Sequence, residues 1–143
     1  MAKTEYELSF DSARFDVEAV HAYLSTSYWA AGIPESVLRK AMENSLCVGA
    51  YAGTEQVGFA RVVTDRATFA YLADVFVLES HRGRGLGVWL MECIKAHPDL
   101  QGLRRWILGT RDAHGLYRKI GFRPLAEPSI YMEIMDREVY GRS

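Results

Sequence analysis

The sequence predicts one α/β domain built on a mixed, mostly antiparallel sheet with helices on both faces, and three observations carry that expectation. The chain has 143 residues, the size of a single domain. Its middle third holds three β-prone runs in succession, residues 46–52, 56–64 and 68–78, separated by turn residues. Amphipathic helical stretches precede and follow these runs, and the order β-α-α-β-β-β-α-β-α-β-β requires helical layers on either side of a sheet.

Taken in order, residues 6–10 alternate and read as a short first strand. Asp16 is suited to cap a helix whose Val17, Val20 and Leu24 recur on one face. After a loop around Tyr28 and Trp29, Pro34 sits at the favoured first position of a second helix, striped by Val37, Leu38, Ala41 and Met42. Residues 46–52 and 56–64 form a hairpin about Gly53-Thr54-Glu55. Residues 68–78, with Phe69, Tyr71, Leu72, Val75, Phe76 and Val77, make the central strand. Leu86, Trp89, Leu90, Cys93 and Ile94 then repeat at helical spacing up to Pro98. Residues 106–108 read as a buried strand and 113–120 as a helix stopped by Gly121. Residues from Phe122 onward, with 130–134, read as a terminal pair of strands.

Composition limits the function. Apolar residues are 49% and charged residues 24%, which excludes disordered, collagen-like and coiled-coil chains. The net charge of −1 is far from the basic excess of a general nucleic-acid binder. Charge is nonetheless uneven: from Arg82 to Arg123 there are nine basic and three acidic residues. Such a step is expected where part of a fold faces a compact polyanion. Cys47 and Cys93 lie 46 positions apart inside apolar patterns, as expected of core residues in a reducing compartment. The first residues show no apolar signal region or acylation glycine, and no apolar run reaches the length of a membrane span, so a cytoplasmic protein without membrane or nucleic-acid partners is expected. The four histidines have no metal-ligand spacing, and no metal is expected.

The most informative stretch is Leu78-Glu79-Ser80-His81-Arg82-Gly83-Arg84-Gly85-Leu86-Gly87, between the strongest strand and an amphipathic helix. Glycines at 83, 85 and 87 clear side chains from the backbone where the helix presents its unpaired N–H groups, an arrangement suited to phosphate. Arg82 and Arg84 add positive charge beside it. The even glycine spacing does not match the dinucleotide fingerprint, and no Gly-Lys-Ser/Thr completes a Walker A loop.

Arg82-x-x-Gly85-x-Gly87 after a strand, followed by Ala113-x-x-Leu116-Tyr117-x-x-x-Gly121-Phe122, resembles the GNAT superfamily of N-acetyltransferases, and the order of elements matches along nearly the whole chain. The resemblance implies the acyl-CoA N-acyltransferase fold and acetyl-CoA as acetyl donor. Arg82, Gly83, Arg84, Gly85, Leu86 and Gly87 would bind its pyrophosphate, and the main chain of Val75, Phe76 and Val77 would pair with the pantetheine arm. Lys119, Arg118 and Arg111 are candidates for the remaining phosphate. Thr110 stands where many members carry Asn.

Acetyl transfer to a small-molecule or peptide amine then sets chemical requirements. An alkyl ammonium of pKa ~10.4 is neutral in only about one part in two thousand at pH 7, a handicap of roughly 4–5 kcal/mol. Asp74, the single charge in the apolar central strand, either handles that amine or pairs with Arg61 or another sheet arginine. Tyr117 is the residue the family pattern implies as hydrogen-bond donor to the leaving sulfur, with a core-packed ring as the alternative. Tyr28, Trp29 and Phe69 are expected at the acceptor pocket, with Tyr71 beside Phe69, although one of the two loop aromatics also fits as a core anchor. A non-catalytic acyl-CoA-binding sensor is the alternative function, and a homodimer through a terminal strand is a further expectation.

Overall fold

A computed structural model describes residues 5–141. Its elements are β1 (Glu7–Ser9), α1 (Val17–Leu24), α2 (Glu35–Glu43), β2 (Leu46–Ala52), β3 (Glu55–Thr64), β4 (Phe69–Val77), α3 (Leu86–Ala96), β5 (Arg105–Leu108) and α4 (His114–Arg118), with short 3-10 turns between them. The strands form one sheet in the order β1-β2-β3-β4-β5, antiparallel except for the parallel β4–β5 pair. This is the mixed sheet that the sequence predicts.

Helices cover both faces, each over its own apolar cluster. Leu86, Leu90, Met91 and Ile94 of α3 pack on Val48, Ala60, Val62 and Leu72. On the other face, Val20 and Leu24 of α1 and Leu38 of α2 pack on Cys47, Phe59 and Phe76. Asp16 caps α1 as expected, its carboxylate accepting from the Ala19 N–H at 3.1 Å. Pro34 lies one position earlier than expected, at the N-cap rather than the first turn of α2, and Val37 faces solvent while Leu38 is buried. Cys47 is buried and Cys93 partly so. Burial pushes the Cys47 thiol up to about 12, which leaves it unreactive at neutral pH.

Two features depart from a regular reading of the strands. In β4, Phe76 pairs with Phe59 but Ala73 pairs with Arg61, so Asp74 and Val75 together oppose Ala60 in a β-bulge. Asp74 takes φ of 52°, left-handed backbone that costs a non-glycine residue about 1 kcal/mol or more. The bulge also inverts the alternation. Ala70 and Leu72 point to the α3 face, whereas Phe76 points to the α1–α2 face and Val75 and Val77 take over the α3 side.

The second departure is at the C-terminal end. The expected strand pair from Phe122 through residues 130–134 does not form; this stretch contains only the 3-10 turn Pro128–Ile130. Its alternating apolar residues find no core to face, and Met132 and Ile134 are fully exposed. A strand pattern becomes a strand only where a neighbour completes its ladder.

Phe59 carries the packing between the sheet and the α1–α2 face, where it is fully buried against Phe15 and Phe76. Phe59→Ala is expected to destabilise the domain by about 3–5 kcal/mol, read as a lower midpoint in urea unfolding.

Candidate active site

The β4–β5 ladder ends at Leu72 and Leu108. Beyond it the two parallel strands no longer pair, and a cleft of about 850 Å³ opens there, lined by residues 71–77 of β4, by Leu108 at the end of β5 and Gly109 and Thr110 after it, and by the first turn of α3. The ladder to β3 tells which main-chain groups face the cleft. Leu78 N–H donates to Val57 O at 2.8 Å, so by antiparallel alternation the next bonded pair is Phe76 with Phe59. The main-chain groups of Val75 and Val77 therefore point away from β3, toward the cleft. Phe76 differs from the expectation: its main chain faces β3, and its ring stacks on Tyr23 at 4.1 Å between centroids.

The glycine-rich turn sits at the end of β4, where the chain enters α3. Gly83 and Gly85 adopt φ of 77° and 80°, which side chains disfavour, and Gly85 is the N-cap of α3. A Cβ at Gly83 would meet nothing within 4 Å, so its backbone is open. Gly87 needs no unusual backbone; a Cβ there would meet Leu116 at 3.6 Å, so it lies where α3 packs on α4. The eleven-residue α3 directs its unpaired N–H groups and positive dipole end at this turn, a donor set that fits a phosphate group.

The side chains of the two arginines of the turn are both engaged within the protein. Arg82 lines the cleft while its guanidinium donates to Val77 O and to the Tyr23 hydroxyl, both at 2.9 Å. It thus braces the turn against β4 and α1. The Arg84 side chain turns away from the cleft and donates to the Tyr6 hydroxyl at 3.0 Å, so only its main chain belongs to the turn. None of Arg111, Arg118 and Lys119 lines the cleft, and Arg111 instead lies 4.3 Å over the Tyr28 ring.

Tyr117 projects from α4 into the same cleft, with its ring edge-on to Phe122 at 5.9 Å. Its hydroxyl has no hydrogen-bond partner among the described residues, so its proton is free to be donated into the cleft. Burial pushes the phenol up to about 12, aided by Tyr28 and Asp112, and it remains protonated at neutral pH. Thr110, at the position of the family's Asn, accepts the Ala113 N–H at 3.2 Å and so shapes the start of α4.

Asp74 lines the cleft and is held on both carboxylate oxygens. One carboxylate oxygen accepts from Arg61 Nε at 2.6 Å, the other from Trp29 Nε1 at 3.0 Å, and the side chain is almost wholly buried. Arg61 also donates to the Ser45 hydroxyl at 3.1 Å. The network fixes the Trp29 indole at the cleft wall. Tyr28 is edge-on to Trp29 and accepts the Arg111 N–H at 3.0 Å, which ties the α1–α2 loop to the β5–α4 loop across the opening. Phe69, expected at the acceptor pocket, does not line it. It lies at the start of β4 opposite Arg105, two residues before the cleft-lining Tyr71. Tyr23, Asp112 and Tyr140 also line the cleft. They carry no local motif in the sequence, and Tyr140 arrives from the far end of the chain. Among the described residues, no group of three His, Cys, Asp or Glu side chains converges.

Comparison with known proteins agrees with this architecture. The family model of the acetyltransferase (GNAT) domain matches residues 43–124. The Gibberella zeae protein named "Putative acetyltransferase FG08082" is 36% identical over 138 residues, spanning 80% of this chain and 77% of its own. A crystal structure from Xanthomonas campestris pv. campestris, of a protein belonging to the GNAT family, is 47% identical with a TM-score of 0.93, covering 96% of this chain and 97% of its own. A Clostridium acetobutylicum protein crystallised with acetyl-CoA shares the fold, at 13% identity and a TM-score of 0.65 over 91% of this chain and 94% of its own. With more than half of its length inside the family model, and the glycine turn and Tyr117 on one cleft, the chain belongs to the GNAT family of acetyltransferases.

Proposed function

We propose that this protein transfers the acetyl group of acetyl-CoA to a primary amine by direct attack in a ternary complex. The observation that carries the proposal is the convergence on one cleft of three donor sets: the glycine turn with the α3 N-terminus, the main chain of Val75 and Val77, and the unpartnered Tyr117 hydroxyl. The turn suits the pyrophosphate. The Val75 main chain and the Val77 N–H suit the amides of the pantetheine arm, much as an added strand would be recognised, while Arg82 holds the Val77 carbonyl. Bound there, acetyl-CoA supplies a thioester whose carbonyl carbon an amine nitrogen attacks, with the coenzyme thiolate leaving.

The chain's own residues then have separable roles. A β4 N–H facing the cleft stabilises charge developing on the acetyl oxygen. Tyr117 donates a hydrogen bond toward the departing sulfur. Complete proton transfer from a phenol at about 12 to a thiolate of pKa ~8.5 is uphill by about 5 kcal/mol, so its contribution is hydrogen-bond donation as charge forms. Asp74, paired on both oxygens, is a positioning residue that holds Trp29. The acceptor enters between Trp29, Tyr28 and Tyr71, whose rings are each partly exposed at the opening. Flat aromatic walls of this kind suit an amine with an apolar or cationic body. The acceptor's proton passes to solvent through this opening.

The proposal is tested by free-thiol release from acetyl-CoA across a panel of amine acceptors. Thiol release that depends on an amine is expected, and retained acetyl-CoA binding without release from any amine would favour a sensor instead. Three variants probe the parts. Gly85→Val forces a β-branched side chain into left-handed backbone at the phosphate turn, and loss of measurable acetyl-CoA binding by calorimetry is expected. Tyr117→Phe is expected to lower kcat by roughly 10–100-fold with acetyl-CoA affinity within about twofold. Because the raised pKa keeps the donor protonated as pH increases, the ratio of parent to variant kcat should stay constant from about pH 7 to about pH 10, while both rates rise with the neutral fraction of the amine. Asp74→Asn removes the charge that neutralises Arg61, and a destabilisation of about 3–5 kcal/mol is expected in denaturant unfolding. The same variant should raise KM for the acceptor more than it lowers kcat, since the indole it positions does not touch the reacting atoms.

A further inference from the structure

We propose that Tyr6 is a positioning residue for the glycine-rich turn, and that its hydroxyl sets how tightly the turn holds a diphosphate; for that ligand the inference rests on the acetyl-CoA reading above. The turn has little packing of its own. Gly83 and Gly85 take left-handed backbone, and a Cβ at Gly83 would meet nothing within 4 Å. Glycine has the most conformational freedom to lose, so the side chains of His81, Arg82 and Arg84 must hold this stretch in shape. Arg82 is fixed by the Tyr23 hydroxyl and the Val77 carbonyl. His81 and Arg84, on either side of Arg82 and Gly83, converge on a single atom, the Tyr6 hydroxyl oxygen, at 2.9 and 3.0 Å.

The proton on that oxygen fixes the sense of both bonds. A guanidinium can only donate, so Tyr6 accepts from Arg84. Tyr6 is buried, and its hydroxyl proton needs an acceptor; the one within reach among the described residues is His81 Nδ1. Nδ1 is therefore bare, and the His81 ring carries a proton on Nε2, which faces the Glu55 carboxylate at 3.6 Å. From Arg84 through Tyr6 to His81 the bonds run donor to acceptor, so each strengthens the next. The chain is anchored in the core. The Tyr6 ring is edge-on to His81 at 5.7 Å and belongs to the apolar cluster that contains Leu86, the first residue of α3. Tyr6 thus joins the turn to the packing that holds the α3 N-terminus, and the N–H groups of the two keep one relative position.

Tyr6→Phe tests this, because it keeps the ring in the core, removes only the hydroxyl and leaves Arg84 to solvent and to Glu5 at 3.6 Å. In the ligand-free parent at about pH 8, ring nitrogen-15 shifts should show His81 protonated on Nε2, and backbone order parameters at Gly83 and Gly85 should lie near ~0.85. The variant should bring those order parameters below about 0.6 and raise the acetyl-CoA dissociation constant, read by calorimetry, by roughly tenfold. S-acetylpantetheine lacks the diphosphate and makes no use of the turn, so its kcat/KM should stay within about twofold, a split that general damage to the fold would not produce. His81 protonated on Nδ1 in the parent, unchanged order parameters, acetyl-CoA affinity within about twofold of the parent, or an S-acetylpantetheine kcat/KM that falls as far as that affinity would each overturn the proposal. A parent that binds no acetyl-CoA would instead overturn the reading that supplies the ligand, and the ring and order-parameter measurements would still decide whether Tyr6 positions the turn.

Discussion

The ion pair between Asp74 and Arg61 sits at the one place where the sheet is irregular, and the architecture of the cleft follows from it. Asp74 occupies left-handed backbone within a bulge, a conformation that persists because its carboxylate is held by Arg61 from the neighbouring strand and by the Trp29 indole from the loop above. The bulge redirects the second half of β4. Its partner β5 stops pairing at Leu72, and the main chain of Val75 and Val77 is left without a neighbouring strand on that side. The Val77 carbonyl accepts from Arg82, and backbone left unpaired inside a sheet is costly unless something else satisfies it. Here the open stretch faces a cleft large enough for an extended ligand with amides of its own.

The glycine-rich turn depends on the same redirected strand. Arg82 reaches back to the Val77 carbonyl and across to Tyr23, and Tyr23 stacks on Phe76, so turn, strand and α1 are connected through one guanidinium. Arg84 performs the equivalent task toward Tyr6 on the N-terminal side. Both guanidiniums act as struts, and the main-chain N–H groups at the α3 N-terminus form a donor set that fits a phosphate group. Backbone donors on a braced turn need no reorganisation when a ligand arrives, which is the physical advantage of building the site this way.

On the opposite wall, the aromatic residues of the α1–α2 loop are held from both sides. Trp29 hangs from Asp74 and Tyr28 from Arg111, so one loop is fixed to the central strand and also to the segment that leads into α4 and Tyr117. The sheet irregularity, the loop and the phenol donor are thereby mechanically coupled. Because Trp29 Nε1 donates to Asp74, a change at Asp74 is felt at Trp29.

Much of this was legible in the chain because it depends on local rules. Apolar periodicity located α1, α3 and β2 to β4, a carboxylate at the right offset marked the cap at Asp16, and glycines after the strongest strand marked the turn into α3. Tyr117 was marked by its surrounding motif. What required the tertiary structure were partnerships between distant residues. A bulge is a mismatch in length between two strands, so the run from Phe69 to Val77 reads as regular until β3 is laid beside it. Whether Asp74 met an amine or Arg61, whether Arg84 faced the ligand or Tyr6, and whether Phe69 or Tyr71 reached the cleft all turned on neighbours tens of positions away. The segment around Ile134 has the alternation of a strand, but alternation specifies only which side chains share a face; a strand exists when another edge supplies its hydrogen bonds, and that edge is not encoded locally.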